Sequence, residues 1–314
     1  MKVSLIVPCY NEEKNISKLY SDVYNCFSEY LGDEYEIIFI DDGSTDNTWH
    51  SLEMLINSTK NTCAISFSRN FGKEAAIYSG MLHSTGDMVC IMDADLQQTP
   101  ENVLKMVNIL DSDQELDCVA LYIKHRCENR VLAGIKYLFY KLINALSDIN
   151  FVTGASDFRL MRRNMVNAVL NMQEYHRFSK GIFNWVGFNT VYLPYEPEKR
   201  KYGKSKWKIK NLFKYALDGI ISFSVAPLIL TTFVGLFSSL LSVIYLLIVL
   251  FQKVHFGIEV PGYATIIVLI LFMGGIILFS LGVIGEYISR IYIQIKNRPL
   301  YFERKYIKSK NYQG

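Results

Sequence analysis

The chain has 314 residues, half of them hydrophobic, and a formal net charge of +3. That length accommodates one large soluble domain with further elements added to it, and so small a net charge gives no ground for a nucleic-acid partner. Six cysteines (Cys9, Cys26, Cys63, Cys90, Cys118 and Cys127) form no C-x-x-C pair, and several stand in apolar runs, so they read as reduced core residues of a cytosolic domain.

Met1 leads directly into a strand, Val3-Ser4-Leu5-Ile6-Val7, with no signal-peptide pattern before it. A helix is expected over 16–30, a strand over 36–40, a helix over 46–60 and a strand over 63–67. A helix over 73–85 and a buried strand over 88–92 follow. Strands alternating with helices in this way predict a mostly parallel sheet covered on both faces. Such sheets bind ligands at the carboxyl ends of their strands.

The polar clusters fall at those ends. Pro8-Cys9-Tyr10-Asn11-Glu12 follows the first strand, and Asp41-Asp42-Gly43-Ser44 follows the second. Ser68-Arg69-Asn70-Phe71-Gly72-Lys73-Glu74 follows the third, and Asp93-Ala94-Asp95-Leu96-Gln97 the fourth. Taken singly, each cluster is also what a turn or a helix N-cap looks like, Ser44 and Asn70 being suitable caps. Together they offer a carboxylate pair for a base or ribose, cations for phosphates and a metal-binding end. Period-two geometry lets Asp93 and Asp95 point to one side, and two hard oxygen ligands there suit Mg²⁺ or Mn²⁺ bound with a diphosphate.

On these residues the chain resembles the family 2 glycosyltransferases, which have the GT-A fold (Rossmann-like, α/β). Within them it resembles the polyisoprenyl-phosphate glycosyltransferases, a group that includes bactoprenol glucosyltransferases and dolichyl-phosphate mannosyltransferases. Val7-Pro8-Cys9-Tyr10-Asn11-Glu12 matches a V-P-x-Y-N-E opening, Asp41–Ser44 matches D-D-G-S, and Asp93–Gln97 matches D-A-D-L-Q with Pro100 following. The run SRNFGKEA over 68–75 resembles the bactoprenol glucosyltransferase branch closely. The resemblance implies that Pro8, Tyr10, Asn11, Glu12, Asp41, Asp42, Lys73, Asp93, Ala94 and Asp95 bind the nucleotide-sugar. Asp93 and Asp95 would hold the metal, with Gln97 as a further ligand, and Asp95 would also serve catalysis.

In the middle of the chain, apolar residues at helical spacing over 131–146 predict an amphipathic helix, either packed on the core or lying at a membrane surface. Gly154-Ala155-Ser156-Asp157-Phe158-Arg159-Leu160 places a carboxylate among apolar neighbours with a cation two residues on. Alone this reads equally as a structural ion pair; its D-F-R-L match to the branch implies a catalytic Asp157 on the acceptor side. A phosphate monoester has a second pKa near ~6, so the acceptor scarcely needs a base, and Asp157 is expected to position it or take its last proton. The same resemblance assigns Arg159, Arg177, Lys180, Arg200 and Lys206 to donor or acceptor phosphates. The family's phosphate-reaching Arg is missing after the strand at 118–121, where Lys124 or Arg126 would have to substitute.

No charged residue occurs over 219–252, and a second uncharged stretch runs over 260–285. Both exceed the ~20 residues needed to cross a bilayer. Eight basic residues precede the first span between Lys199 and Lys214, seven follow the second from Arg290 to Lys310, and the connecting loop offers Lys253. By the positive-inside rule both termini and the catalytic domain are cytoplasmic. The organisation expected is a GT-A domain over 1–198 and a basic interfacial helix over 199–218. A hairpin over 219–288 (spans about 225–251 and 261–285) and a basic tail over 289–314 complete it.

The resemblance as a whole implies an inverting transfer from a UDP-sugar, glucose first, to undecaprenyl or another polyprenyl phosphate at a bacterial inner membrane. A downstream flippase and an extracytoplasmic glycosyltransferase follow by analogy, and self-association is left open. The rival readings are a transferase with a different lipid or glycan acceptor and a non-catalytic nucleotide-sugar sensor. The acidic triplet and Asp157 speak against the second.

Overall fold

The protein is described by a computed structural model over residues 1–123, 141, 144, 152, 154–198, 219, 221–256, 262–310 and 312. The expected amphipathic helix over 131–146, the basic helix over 199–218, Cys127, Lys124, Arg126, Arg200 and Lys206 lie wholly or mostly outside these residues.

The elements in chain order are β1 (Val3–Cys9), α1 (Ile16–Tyr30), β2 (Tyr35–Asp41), α2 (Thr48–Ser58), β3 (Thr62–Phe67), α3 (Lys73–His83), β4 (Met88–Ile91) and α4 (Pro100–Ser112). They continue with β5 (Cys118–Ile123), β6 (Ala155–Arg162), α5 (Arg163–Asn171), α6 (Ser179–Trp185) and β7 (Thr190–Tyr195). Two long helices, α7 (Ala226–Phe256) and α8 (Tyr263–Ile295), and a last strand, β8 (Glu303–Lys308), close the chain. The strands make one sheet in the order β7-β5-β6-β4-β1-β2-β3-β8. β4, β1, β2 and β3 run parallel to their neighbours among themselves, while β6 and β8 are antiparallel to the strands they flank.

The central strands are buried along almost their whole length, as parallel strands covered on both faces must be. Alternate residues enter opposite layers. Leu5, Val7, Ile37 and Phe39 pack with α1 and α4, whereas Ile6, Ile38, Ile40 and Ile65 pack with α3 and α5. α1 contributes Ile16, Leu19, Val23 and Phe27, spaced to form one stripe.

β6 was not among the strands expected from periodicity, and it decides the geometry of the site. It pairs antiparallel with β4, with Met88 opposite Arg162 and Ile91 opposite Arg159. Continuing that register two residues past Ile91 sets Asp93 opposite Asp157.

The basic segment after the hairpin is not only a tail: β8 caps the edge of β3. Ser68 N donates to Phe302 O at 2.9 Å, and Tyr301 stacks on Phe67 with ring centroids 4.6 Å apart. Its charged residues, Glu303, Arg304, Lys305 and Lys308, suit an edge strand, where charge discourages pairing with a second chain.

The spans Ala226–His255 and Val268–Ile295 have mean hydropathies of 2.5 and 2.6, and no part of either apolar window is buried in the protein. Polar contacts tie α8 to the segment just before α7 and to the domain. Tyr287 Oη donates to Ser224 O at 2.7 Å, Arg290 Nη1 to Ser222 Oγ at 3.1 Å, and Tyr175 N to Gln294 Oε1 at 2.8 Å.

Gly80 lets α3 lie close on the sheet: a Cβ there would stand 2.2 Å from Ile6 Cγ2 and 2.9 Å from Ile40 Cδ1. Both isoleucines are fully buried and have little room to move. Gly80→Ala is expected to destabilise the domain by about 1–3 kcal/mol, read as a lowered thermal midpoint of the detergent-solubilised protein.

Candidate active site

The ends of β1 and β2 are laced together by side chains. Asn11, in the left-handed region at φ 55°, donates its backbone N–H to Ser44 Oγ at 2.9 Å and accepts at Oδ1 from Thr45 N at 2.8 Å. Glu12 N donates to Thr48 Oγ1 at 2.8 Å, and the Glu12 carboxylate accepts from Asn15 Nδ2 at 2.6 Å. Asp41 accepts from Ser44 N and Ser66 Oγ, each at 3.0 Å. Asp42 accepts from Phe71 N at 2.6 Å and Gly72 N at 2.9 Å, tying the loop after β3 to the loop after β2. Gly43 is required between them: its φ is +64°, and a Cβ would lie 2.4 Å from the Arg69 carbonyl carbon. Burial pushes the Asp42 carboxyl up to about 6 against the pull of its two amide partners. Asp41 and Asp42 are thus buried and committed to the turns that shape the carboxyl edge of the sheet, while Pro8 and Tyr10 stand partly exposed on the same edge.

At the centre, the Lys73 ammonium lies 2.6 Å from Asp93 Oδ1 and 2.9 Å from Asp157 Oδ2. One cation, on the first residue of α3, bridges the carboxylates that the β4–β6 register sets opposite each other. Burial would raise the Asp157 carboxyl, but Lys73 and then Lys180 hold it well below the usual carboxylate range. Burial likewise opposes the Lys73 charge, and Asp157 with Asp93 outweighs it, so the ammonium stays protonated throughout the physiological range. Asp157 Oδ1 is buried with no hydrogen-bond partner, the kind of acceptor a substrate donor could satisfy.

The acidic triplet departs from expectation in one respect. The chain turns at Leu96, φ 61°, and Gln98, not Gln97, returns to Asp93. Asp93 N donates to Gln98 Oε1 at 2.8 Å, and Gln98 Nε2 donates to Asp93 Oδ2 at 3.4 Å. Gln97 Nε2 instead donates to Glu198 O at 3.2 Å. Gln97 thus braces the chain after β7 through its amide nitrogen, and its oxygen is the atom that the expected metal contact would use. The Ala94 methyl is buried in the core, so only its backbone is available to a ligand.

Two of the expected phosphate-binding cations are also engaged elsewhere. Arg159 is 1% exposed, its guanidinium 3.9 Å over the Phe183 ring, with Nη2 donating to Ser156 O at 3.1 Å. It sits beneath the cleft floor, on the same face of β6 as Asp157. Arg177 donates to Met172 O and Val169 O at the end of α5 and lies over Tyr78, so it closes a helix instead of facing the cleft. Lys180 remains beside Asp157, as its influence on that carboxyl requires.

Glu74 is a further site residue without a role in the sequence reading. It accepts from Ser179 N at 3.0 Å and from Ser179 Oγ, fastening the start of α6, and with it Lys180, to the start of α3. Nothing in a lone K-E pair announces that contact, because its partner is 105 residues away.

The donor set suits a hard divalent cation. Among the described residues no three His, Cys, Asp or Glu side chains gather around one point. Mg²⁺ and Mn²⁺ do not demand it: one or two carboxylates plus substrate phosphates and water are the common arrangement. Asp93 and Asp95 are the carboxylates that would hold such an ion, Asp95 Oδ1 accepting from Gln97 N at 3.2 Å.

Residues 4–170 match the family described as "Glycosyl transferase family 2", and residues 226–291 match the "GtrB C-terminal hairpin". The chain is 43% identical over 95% of its length to "Putative glycosyltransferase CsbB" of Bacillus subtilis, covering 90% of that protein. It is 38% identical along its full length to the "SfII prophage-derived bactoprenol glucosyl transferase" of Shigella flexneri, covering 99% of it. It is 37% identical over 97% of its length to the "Prophage bactoprenol glucosyl transferase homolog" of Escherichia coli, again covering 99%.

Two measurements test this geometry. Gln98→Ala is expected to lower kcat/KM for a nucleotide-sugar about 10- to 100-fold, because Asp93 loses the amide that orients it, whereas Gln97→Ala costs far less. Burial, with the Asp157 charge second, pushes the Glu74 carboxyl from 4.5 up to about 6. The folded state then binds more protons than the unfolded one across that window, so stability falls as pH rises through it. The thermal midpoint should drop between about pH 5 and pH 7, and by less in Glu74→Gln, where Asp42 and Glu174, whose carboxyls burial also raises, contribute the remaining slope.

Proposed function

The chain belongs to glycosyl transferase family 2, and from that premise we propose that it moves glucose from UDP-glucose to the phosphate of a membrane polyprenyl lipid, with inversion. The observation that carries this reading is the meeting of Asp93 and Asp157 on Lys73 at the carboxyl edge of the sheet. A donor-side and an acceptor-side carboxylate then share one cleft. The hairpin, joined to the same domain through Gln294, supports a lipid acceptor, since it holds the site where a water-insoluble substrate presents its headgroup. The bactoprenol glucosyl transferases among the relatives support both glucose and bactoprenol phosphate.

In this mechanism an oxygen of the acceptor phosphate attacks the anomeric carbon in line, the new C–O bond forms as the bond to the diphosphate breaks, and UDP leaves with the electron pair. A bound Mg²⁺ or Mn²⁺ would supply charge neutralisation at the departing diphosphate, with Asp93 and Asp95 as the residues to hold it. Pro8, Tyr10, Asn11, Glu12, Asp41 and Asp42 frame the nucleoside. Lys73 and Lys180 meet phosphate charge, joined by Arg200 and Lys206 from the segment before the hairpin. Asp157 orients the acceptor or takes its last proton. Because the acceptor phosphate is largely dianionic near neutrality, positioning is the larger of those tasks.

Basic residues flank the hairpin on its domain side, and at its far end Lys253 stands in the last turn of α7, which supports a cytoplasmic catalytic domain and termini in a bacterial inner membrane. UDP-sugars are made in that compartment. A carrier must then take the lipid-linked sugar across the membrane for a second transferase to use.

The test is to incubate the purified protein with Mg²⁺ or Mn²⁺, undecaprenyl phosphate and a panel of UDP-sugars, following lipid-linked product by mass spectrometry. A hexose-phosphate lipid formed from UDP-glucose is expected, with loss of product in Asp95→Asn and a deep loss in Asp157→Asn. Product from another sugar alone would overturn glucose; no lipid product from any donor would overturn the transferase reading.

A further inference from the structure

We infer that Lys73 holds the place of the divalent cation on Asp93 until the donor arrives, so that metal and nucleotide-sugar bind as one unit. This rests on the metal-dependent transfer proposed above and assigns a residue to its first step.

The Lys73 ammonium sits 2.6 Å from Asp93 Oδ1, at or inside the usual range for a charge-assisted hydrogen bond. A metal on that oxygen needs the same lone pairs at about 2.0–2.1 Å, so ammonium and metal exclude each other there. The alternative oxygen, Oδ2, faces the Gln98 amide. A bare divalent cation is also repelled by a positive charge so close, and that repulsion is weakly screened at contact distance.

The donor's diphosphate relieves both obstacles. It gives the ammonium another anionic partner and brings the negative charge that the metal needs. Lys73 can follow, because its side chain is 41% exposed on the first residue of α3. The nucleoside end reports to it directly, since Asp42 holds the amides of Phe71 and Gly72 immediately before it. When Lys73 leaves Asp157, that carboxylate keeps Lys180 as a neighbouring cation and gains a second free oxygen for the acceptor side.

The experiment measures Mn²⁺ binding to the full-length protein in detergent by electron paramagnetic resonance, with and without UDP. Wild type, Lys73→Met, Lys73→Arg and Lys60→Met are compared; Lys60 is an exposed lysine between α2 and β3. Without UDP, Lys73→Met should bind Mn²⁺ about tenfold more tightly than wild type. The enhancement of Mn²⁺ binding by UDP should shrink by a similar factor, as reciprocal linkage requires. Lys73→Arg and Lys60→Met should follow wild type, and turnover of UDP-glucose should fall in Lys73→Met although its metal affinity has risen. Unchanged or weaker Mn²⁺ binding in Lys73→Met would overturn the inference, as would equal tightening in Lys60→Met. Absence of Mn²⁺ binding in every protein, with and without UDP, would overturn it together with the metal reading. Lipid-linked product formed in metal-free buffer would then show that the transfer reading itself stands.

Discussion

Lys73 is a cation that two facing carboxylates share, and much of the structure serves to keep it there. The β4–β6 register sets Asp93 opposite Asp157. Two negative charges so placed would repel each other without a counterion, and burial would amplify the repulsion. α3 supplies the counterion from its first residue, seated by the close approach that Gly80 allows and by the amides that Asp42 holds. Glu74, the next residue, secures α6 and therefore Lys180. The nucleoside loops, the metal-binding end and the acceptor side are thus coupled through two consecutive residues at one helix start.

The parts of the fold that were legible in the sequence are those governed by local pattern. β1 to β4 are apolar runs bounded by turn residues, and α1 carries its buried stripe at helical spacing. The motif residues duly gather at the carboxyl edge, because a parallel sheet leaves them nowhere else to go. What was not legible depends on partners distant in the chain. β6 is recognisable only through its pairing with β4, and β8 only through the sheet edge it covers, since ERKYIK alone reads as a basic tail. Arg159 and Arg177 illustrate the same limit. An arginine near an active-site motif looks like a phosphate ligand, and packing alone shows that one lies over an aromatic ring while the other donates to helix-end carbonyls. Gln97 and Gln98 are indistinguishable by type, and the left-handed turn at Leu96 decides between them.

The return of the chain to the sheet after α8 has a mechanical consequence. The catalytic domain is held to the hairpin from both sides, by Phe223 packed on Phe178 before it and by β8 after it. A domain tethered at one point could swing freely over a membrane. One fastened at two presents a narrower range of orientations, which lowers the entropic cost of meeting a headgroup in the right geometry.

The most direct measurement is the structure of the full-length protein with Mn²⁺ and UDP-glucose, the metal located by its anomalous scattering. The expected result is Mn²⁺ on Asp93 and Asp95 beside the diphosphate, with the Lys73 ammonium moved from Asp93 to a phosphate oxygen. Mn²⁺ bound away from both carboxylates, or Lys73 still paired with Asp93 while metal and donor are in place, would contradict it.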